Sequence, residues 1–241
     1  RIAGETVIDG GNAELVFHDP LAAFHIKGCS SITLKNLTLD WDPTPFVCGE
    51  VLEAAPDHFD VAVFDEFPVR GGEPVKVVLE FEKGALYPAA DGVDAHDAVD
   101  RTELLAPQRL RVFTRQPVPV KPGRLVALCH TWYGPGALVF EDCDEVRLEN
   151  VTIHTAFGMG LRVYRCGNVR LSNFRVQIRP GSRRLMSTTA DAAHFAGGTG
   201  FIGIEDCLFE GNGDDALNIK SGLYLAVLER VDDHTVLARH R

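Results

Sequence analysis

Two adjacent acidic residues lie near the end of the chain, in segment 211–220. Asp214 and Asp215 stand between a glycine and a short apolar stretch, so we predict them at the entrance of a β-strand. Like charges a few ångströms apart cannot both ionise without cost, and such carboxyl pairs perform general acid and base chemistry in enzymes. A solvated acidic turn or a calcium-binding loop has the same local pattern, so the pair alone leaves the function open.

A third acid occupies the equivalent place one repeat earlier. Residues 191–195 (Asp-Ala-Ala-His-Phe) align with residues 215–219 (Asp-Ala-Leu-Asn-Ile), an offset of 24. We therefore expect Asp191 to stack beside Asp215, with Asp214 next to them. Three carboxylates in this register favour catalysis, and a calcium site is the alternative.

An internal repeat predicts the scaffold that positions these acids. Segments 24–39, 139–153 and 161–176 share short apolar-x-apolar strands, a polar turn, and an Asn seven residues after a Cys. A looser copy, 201–209, has Asp206 in place of the Asn. A period in the low twenties with several short strands per repeat is typical of a parallel β-helix.

Stacked repeats would bring equal residues into columns spaced by about 4.8 Å. One column contains Asn36, Asn150 and Asn173, and the other contains Cys29, Cys143 and Cys166. We expect the Asn side chains to bond backbone groups that a corner leaves free, and the Cys residues to be buried rather than disulfide-bonded.

The repeat is interrupted, so we predict three parts. Residues 1–41 are the first coils, 42–128 an inserted antiparallel barrel or sandwich, and 129–241 the continuation that carries the acids. Alternating runs at 59–63, 75–81, 109–113 and 124–128 predict the antiparallel strands, and the acidic stretch 91–100 predicts a mobile loop. A second excursion, 179–189, is expected to carry Arg183 and Arg184 away from the coils. The fold class is thus all-β, a right-handed parallel β-helix with an inserted antiparallel domain. Both ends fall inside strand patterns, so we expect a fragment.

Composition excludes several function classes. A net charge of −10 argues against nucleic-acid and anionic-membrane partners, and more weakly against a polyanionic substrate. No apolar run is long enough to span a bilayer. The six Cys form no CxxC pair, so a zinc site is not expected.

In combination, these features resemble glycoside hydrolase family 110. The residues that carry the resemblance are Asp191, the run 213–218 (Gly-Asp-Asp-Ala-Leu-Asn), the run 39–43 (Leu-Asp-Trp-Asp-Pro) before the insertion, and segment 154–160. The resemblance implies an exo-acting, inverting, bacterial α-galactosidase without a cofactor, acting on terminal α-1,3-linked galactose such as that of blood group B. It also implies a secreted, periplasmic or cell-surface location.

The resemblance also suggests roles for individual residues. By likeness to polygalacturonases, which have a similar acid set, Asp214 would protonate the glycosidic oxygen while Asp191 and Asp215 activate water. A ladder spacing of about 4.8 Å suits joint holding of one water better than the separation of about 6.5–9.5 Å between an opposed acid and base. Candidate substrate-binding residues are Trp132, Tyr133, His194, Arg162 and Arg183. The aromatics could equally serve packing, and His194 a structural role.

Two other functions remain open from the sequence. One is a polygalacturonase-like or pectate-lyase-like enzyme, which the negative charge disfavours. The other is a non-catalytic carbohydrate-binding β-helix with a calcium-bound acidic loop. The oligomeric state is not predicted.

Overall fold

In a computed structural model, which describes residues 2–221 and 225–240, the chain is an all-β protein. The described residues form 21 strands and no helix. The first ten are β1 (Ile2–Phe17), β2 (Phe24–Lys27), β3 (Cys29–Trp41), β4 (Phe46–Ala54), β5 (His58–Val63), β6 (Val77–Phe81), β7 (Asp94–His96), β8 (Val99–Ala106), β9 (Arg109–Thr114) and β10 (Leu125–Cys129). The others are β11 (Leu138–Glu141), β12 (Glu145–Ile153), β13 (Leu161–Tyr164), β14 (Asn168–Ser172), β15 (Arg175–Val176), β16 (Ala193–Ala196), β17 (Ile202–Glu205), β18 (Leu208–Phe209), β19 (Leu217–Lys220), β20 (Leu225–Arg230) and β21 (Val236–His240). Within this described part, no helix has the length and apolar character needed to cross a membrane.

Two parallel sheets are built from successive passes of the chain. A seven-stranded sheet runs β1-β3-β12-β14-β17 with β15 and β18 alongside, and a five-stranded sheet runs β2-β11-β13-β16-β19. Each pass gives one strand to the five-stranded sheet and then one or two to the other, always in parallel pairing. Apolar residues that alternate along both sets of strands, such as Leu34, Phe140 and Leu171, share one core.

The Asn column lies at one corner of the passes. Asn36, Asn150 and Asn173 have φ of 55°, 54° and 50°, and Asp206 has 55° in the looser copy. Asn tolerates this left-handed backbone better than most residues. The expected backbone partners are wrong, because the amides bond one another. Asn150 donates to Asn36 over 3.1 Å, and Asn173 donates to Asn150 over 2.9 Å.

A second left-handed column follows the five-stranded sheet. It contains Gly28, Asp142, Arg165 and Gly197, with φ of 71°, 54°, 50° and 67°. The Arg165 guanidinium donates to both carboxylate oxygens of Asp142 over 2.7 and 2.9 Å, which ties two passes together. This corner therefore repeats a backbone conformation with three different residue types.

The Cys column is buried and contains no disulfide, as the sequence predicts. Cys29, Cys143 and Cys166 are free thiols with almost no exposed surface. Burial raises the pKa of Cys166 to about 11, so its thiol stays protonated at neutral pH.

The antiparallel strands form a separate sheet with its own core. Its order is β7-β6-β10-β4-β5-β9-β8, and all four predicted runs are strands in it. Among the described residues the end strands β7 and β8 do not pair with each other, so the sheet has two edges. The prediction of a mobile loop at 91–100 is wrong. β7 pairs with β6, and Asp91 accepts hydrogen bonds from Lys121 and Arg124 over 2.6 and 2.8 Å.

The excursion 179–189 packs back onto the protein. Leu185 and Met186 join the core of the antiparallel sheet. The Arg184 side chain is 10% exposed and donates to Asp40, so the prediction that it projects outward is wrong. Arg183 does lie at the surface side of this segment, where its guanidinium covers the Phe64 ring at 3.6 Å.

Candidate active site

Three carboxylates meet where two neighbouring strands of the five-stranded sheet begin. Ala193 pairs with Leu217, which sets Asp191 beside Asp215 across the ladder, and the Ala192 N–H donates to the Asp215 carbonyl over 2.9 Å. One oxygen of each of Asp191, Asp214 and Asp215 lies within 4.8 Å of the others. Asp191 is buried with 1% of its surface exposed, while Asp214 and Asp215 are exposed. The structure thus brings together the three acids that the offset of 24 aligned.

Each carboxylate is held by only one of its two oxygens. His194 Nδ1 lies 2.6 Å from Asp191 Oδ2, Asn218 Nδ2 donates to Asp215 Oδ2 over 2.7 Å, and the Tyr133 hydroxyl donates to Asp214 Oδ2. The three Oδ1 atoms accept no hydrogen bond from the described residues, and that of Asp191 is buried. A buried carboxylate oxygen without a partner is costly, so this group is suited to a water or a ligand.

Two of these contacts come from the acid's own pass. His194 and Asn218 are each three residues after their acid, at the second position of β16 and β19, and they pair with each other across the ladder. The same local geometry is therefore built twice, once with an imidazole and once with an amide. Asn218 was missed as a positioning residue, although the alignment of the two segments already placed it opposite His194.

The third contact comes from a distant segment. Tyr133 has a left-handed φ of 53° and is 52% exposed. Its hydrogen bond to Asp214, together with burial and the nearby negative charges, raises the pKa of the phenol well above its usual range. Tyr133 therefore remains a hydrogen-bond donor at physiological pH.

Two glycines allow the passes to approach closely enough for these contacts. A Cβ on Gly213 would lie 2.7 Å from the Thr189 carbonyl oxygen, directly before the acidic pair. A Cβ on Gly158 would lie 2.2 Å from the carbonyl oxygen of Gly134, the residue after Tyr133. Both positions require glycine because backbone occupies the space of a side chain.

Trp132 lies beside this group without touching the acids. Its ring meets the Tyr133 ring edge-on at 5.9 Å and the His96 ring edge-on at 5.0 Å. It packs against the core of the antiparallel sheet, so it has the packing role.

The two candidate arginines are not brought to the acids. Arg162 pairs with His194 in the sheet, but its guanidinium lies 3.9 Å from Glu141 and covers the Tyr164 ring at 5.4 Å. Arg183 lies over Phe64, and its backbone N–H donates to Glu66. In the described chain, no Lys or Arg forms an ion pair with any of the three acids.

Cation binding is chemically possible at one of two acidic clusters. Asp191, Asp214 and Asp215 together offer three oxygens that accept no hydrogen bond from the described residues, a donor set of the kind that calcium accepts. The second cluster, Glu53, His58 and Asp60, is already satisfied, because both oxygens of Asp60 accept hydrogen bonds from arginines.

Comparison with known proteins gives a consistent set of relatives. The chain is 31% identical to alpha-1,3-galactosidase A of Shewanella woodyi, over 95% of this chain and 40% of that protein. It is 29% identical to an alpha-1,3-galactosidase B of Phocaeicola vulgatus and 28% identical to one of Bacteroides fragilis, each over 97% of this chain. No protein-family model matches the chain.

These matches cover nearly all of this sequence, while the chain spans only about two fifths of the length of the curated relatives. The resemblance noted from the coil pattern and the acid set is confirmed by them. This chain is a homologue of the proteins named alpha-1,3-galactosidase.

Proposed function

We propose that this chain carries the catalytic centre of a glycoside hydrolase that releases terminal α-1,3-linked galactose from oligosaccharides. The observation that carries the proposal is the group of three carboxylates. Each is fixed by one oxygen, and the other oxygen has no partner among the residues that the structure describes. The names of the homologous proteins supply the sugar and the linkage.

We also propose that the two parallel sheets are walls of a right-handed parallel β-helix and that residues 42–128 are an inserted domain. The in-register pairing of successive passes supports the first part. The antiparallel sheet with its separate core supports the second. In this arrangement the acids lie at strand entrances on one face of a rigid scaffold, which suits precise positioning.

In the proposed reaction, Asp214 is the acid. Its Oδ2 accepts from Tyr133, which leaves Oδ1 to carry a proton and to donate it to the glycosidic oxygen as the bond to the anomeric carbon breaks. Asp191 and Asp215 hold one water between their free oxygens, and the water attacks the anomeric carbon as one of them takes its proton. The products are galactose and the saccharide that carried it, and water is the only other reactant.

Inversion is the finer part of the proposal. Nearest oxygens within 4.8 Å are closer than the separation of about 6.5–9.5 Å typical of an opposed acid and base, so the stereochemistry rests on the family resemblance. Proton NMR of a digest of an α-1,3-galactosyl disaccharide decides it. Inversion releases β-galactose first. Release of α-galactose first would overturn inversion, and no release would overturn the galactosidase itself.

Single substitutions test the three acids. Asp191→Asn, Asp214→Asn and Asp215→Asn should each lower kcat/KM by about a hundredfold to ten-thousandfold, because each removes a proton-transferring or water-holding group. Asp206→Asn is the matched control, since it places on the corner column the residue that three other passes carry. Near-normal turnover in one acid variant would remove that residue from the mechanism.

The carboxylate group also favours a second function. Three carboxylates that each place an oxygen within 4.8 Å of the others suit calcium, and a calcium-bound loop would make this a carbohydrate-binding module. Thermal melting of the native protein and of Asp214→Asn, each measured with calcium and with EDTA, tests whether the acids bind calcium. If only the native protein melts at a calcium-dependent temperature, and no galactoside is turned over, the carbohydrate-binding function is favoured over the hydrolase function. A polygalacturonase-like substrate is disfavoured, since the net charge is −10 and the acids have no arginine or lysine ion pair in the described chain.

A further inference from the structure

We propose that the cavity beside Trp132 is a subsite for the neutral sugar to which the released galactose is attached. This inference rests on the proposed function and deepens it. The cavity has a volume of about 450 Å³ and lies between the edge of the antiparallel sheet, at β6 and β7, and segment 130–134. The mechanism described above does not use it.

Its position relative to the acids follows from a short chain of contacts. Trp132 lines the cavity and meets the Tyr133 ring at 5.9 Å, and the Tyr133 hydroxyl donates to Asp214. One side chain, Tyr133, therefore connects Trp132 in the cavity wall to Asp214, the proposed acid. Because that oxygen joins galactose to the next sugar, the next sugar must extend past Asp214.

The aromatic part of the lining is held rigidly. The Trp132 ring is fixed between the edge-on rings of His96 and Tyr133 and packs on the core of the antiparallel sheet. Its indole N–H donates to no acceptor in the described part of the chain, and it is not a buried unpaired group. A fixed aromatic ring with a free donor offers an apolar surface and a hydrogen bond, the combination that sugar rings use.

The polar part of the lining suits hydroxyl groups. His130 Nδ1 lies 2.8 Å from the Pro74 carbonyl oxygen, which can only accept, so Nδ1 donates and Nε2 of the neutral ring is an acceptor. Lys76 and Asp97 face each other at 3.9 Å with side chains 57% and 76% exposed. One cation and one anion leave the lining without net charge, which favours a neutral sugar over an acidic one.

The size of the cavity limits the ligand. About 450 Å³ lies in the lower half of the range of about 300–1,000 Å³ typical of small-molecule pockets, so it holds about one or two sugar rings. The antiparallel sheet contributes His96, and Lys76 and Asp97 directly flank its strands β6 and β7, so this assignment also gives the sheet a role in substrate selection.

Ligand affinities in an Asp215→Asn background test the subsite without hydrolysis. Calorimetry compares an α-1,3-galactosyl disaccharide with methyl α-galactoside, which lacks the second ring. We expect the disaccharide to bind about tenfold more tightly, the amount that one well-placed ring contact with hydrogen bonds provides. Adding His96→Ala or Lys76→Ala should reduce that ratio to about threefold or less.

The matched control is His58→Ala. His58 is another histidine of the antiparallel sheet. It lies 2.8 Å from a neighbouring aspartate and packs on an aromatic ring of the same sheet, but it does not line the cavity. It should keep the tenfold ratio, and melting curves confirm that all variants are folded.

The outcomes separate the two proposals. If the native protein releases galactose but the ratio is unchanged by both His96→Ala and Lys76→Ala, the subsite is refuted and the proposed function stands. If the native protein releases no galactose while the ratio falls in these variants and not in His58→Ala, the subsite stands as a binding site and the hydrolase is refuted. Absence of any affinity difference between the two ligands refutes the subsite.

Discussion

Substitution of Arg184 by methionine should destabilise the protein by about 3 kcal/mol. Arg184 Nη1 donates to Asp40 Oδ1 over 2.7 Å and lies 2.6 Å from the Thr155 hydroxyl, and Asp40 is only 2% exposed. Breaking a buried ion pair costs about 3–5 kcal/mol when the remaining charge has no partner. Here Arg179 and the Trp41 N–H still reach Asp40, at 2.6 and 2.9 Å, so about 2 kcal/mol is expected. Loss of the Thr155 contact adds about 1 kcal/mol.

This destabilisation should depend on pH. Burial raises the pKa of Asp40, but the hydrogen bond and charge of Arg184, with Arg179 and the Trp41 N–H, outweigh burial and lower it below its usual value. A lowered folded-state pKa stabilises the protein above the unfolded-state pKa of about 3.9, and this stability is lost as pH falls through the folded value. The difference between native and Arg184→Met proteins should therefore be full at neutral pH and shrink below about pH 4.

Thermal melting at pH 7 and in acid measures both effects. About 3 kcal/mol corresponds to a Tm lower by roughly 6–12 °C for a chain of this size. The matched control is Arg165→Met, whose ion pair with Asp142 is about half exposed on the arginine side and should contribute no more than about 1 kcal/mol. If Arg184→Met melts within 2 °C or so of Arg165→Met, the assignment of Arg184 to a buried pair is refuted.

Three further substitutions test how the site and corners are held. His194→Ala should lower kcat/KM by about tenfold to a hundredfold and also lower the Tm, because the buried Asp191 loses the group that orients and partners it. His194→Asn should retain most activity, and equal losses of activity in the two variants would contradict an orienting role. Gly158→Ala should lower stability by about 1–3 kcal/mol, since its Cβ would lie 2.2 Å from the Gly134 oxygen, and an unchanged melting curve would show that the passes are not so closely packed. Asn150→Ala should destabilise the protein by about 2 kcal/mol, because alanine disfavours the left-handed φ of 54° and two amide hydrogen bonds are lost. Asn150→Gly should cost less because glycine accepts that backbone, and identical Tm values for the two variants would contradict a backbone contribution.

Features local to one pass were predictable from the sequence. The Asn column recurs because one residue type tolerates the left-handed corner best, and the Cys column recurs because a small apolar side chain suits a buried position. The second corner gave no such signal. Gly28, Asp142 and Arg165 all adopt the left-handed conformation there, so no single residue type marks this corner in the sequence.

Contacts between distant segments were not predictable. Arg184 was placed at the surface because a charged residue in an excursion is normally solvated, and its buried partner Asp40 is 144 residues away. Tyr133 and Asp214 are 81 residues apart, and only the folded passes bring the phenol to the acid. The sequence could nominate both residues for the site but could not predict their contact.

The three acids consequently differ in what holds them. Asp191 and Asp215 are fixed by residues of their own passes, three positions along the same chain segment, so their mutual geometry depends only on the ladder between β16 and β19. Asp214 is fixed by Tyr133, whose neighbour Trp132 packs on the antiparallel sheet. A disturbance of that sheet should therefore reach the proposed proton donor and leave the water-holding pair in place. In the proposed mechanism, this separation would let the antiparallel sheet influence how the leaving sugar is protonated without altering the pair proposed to activate water.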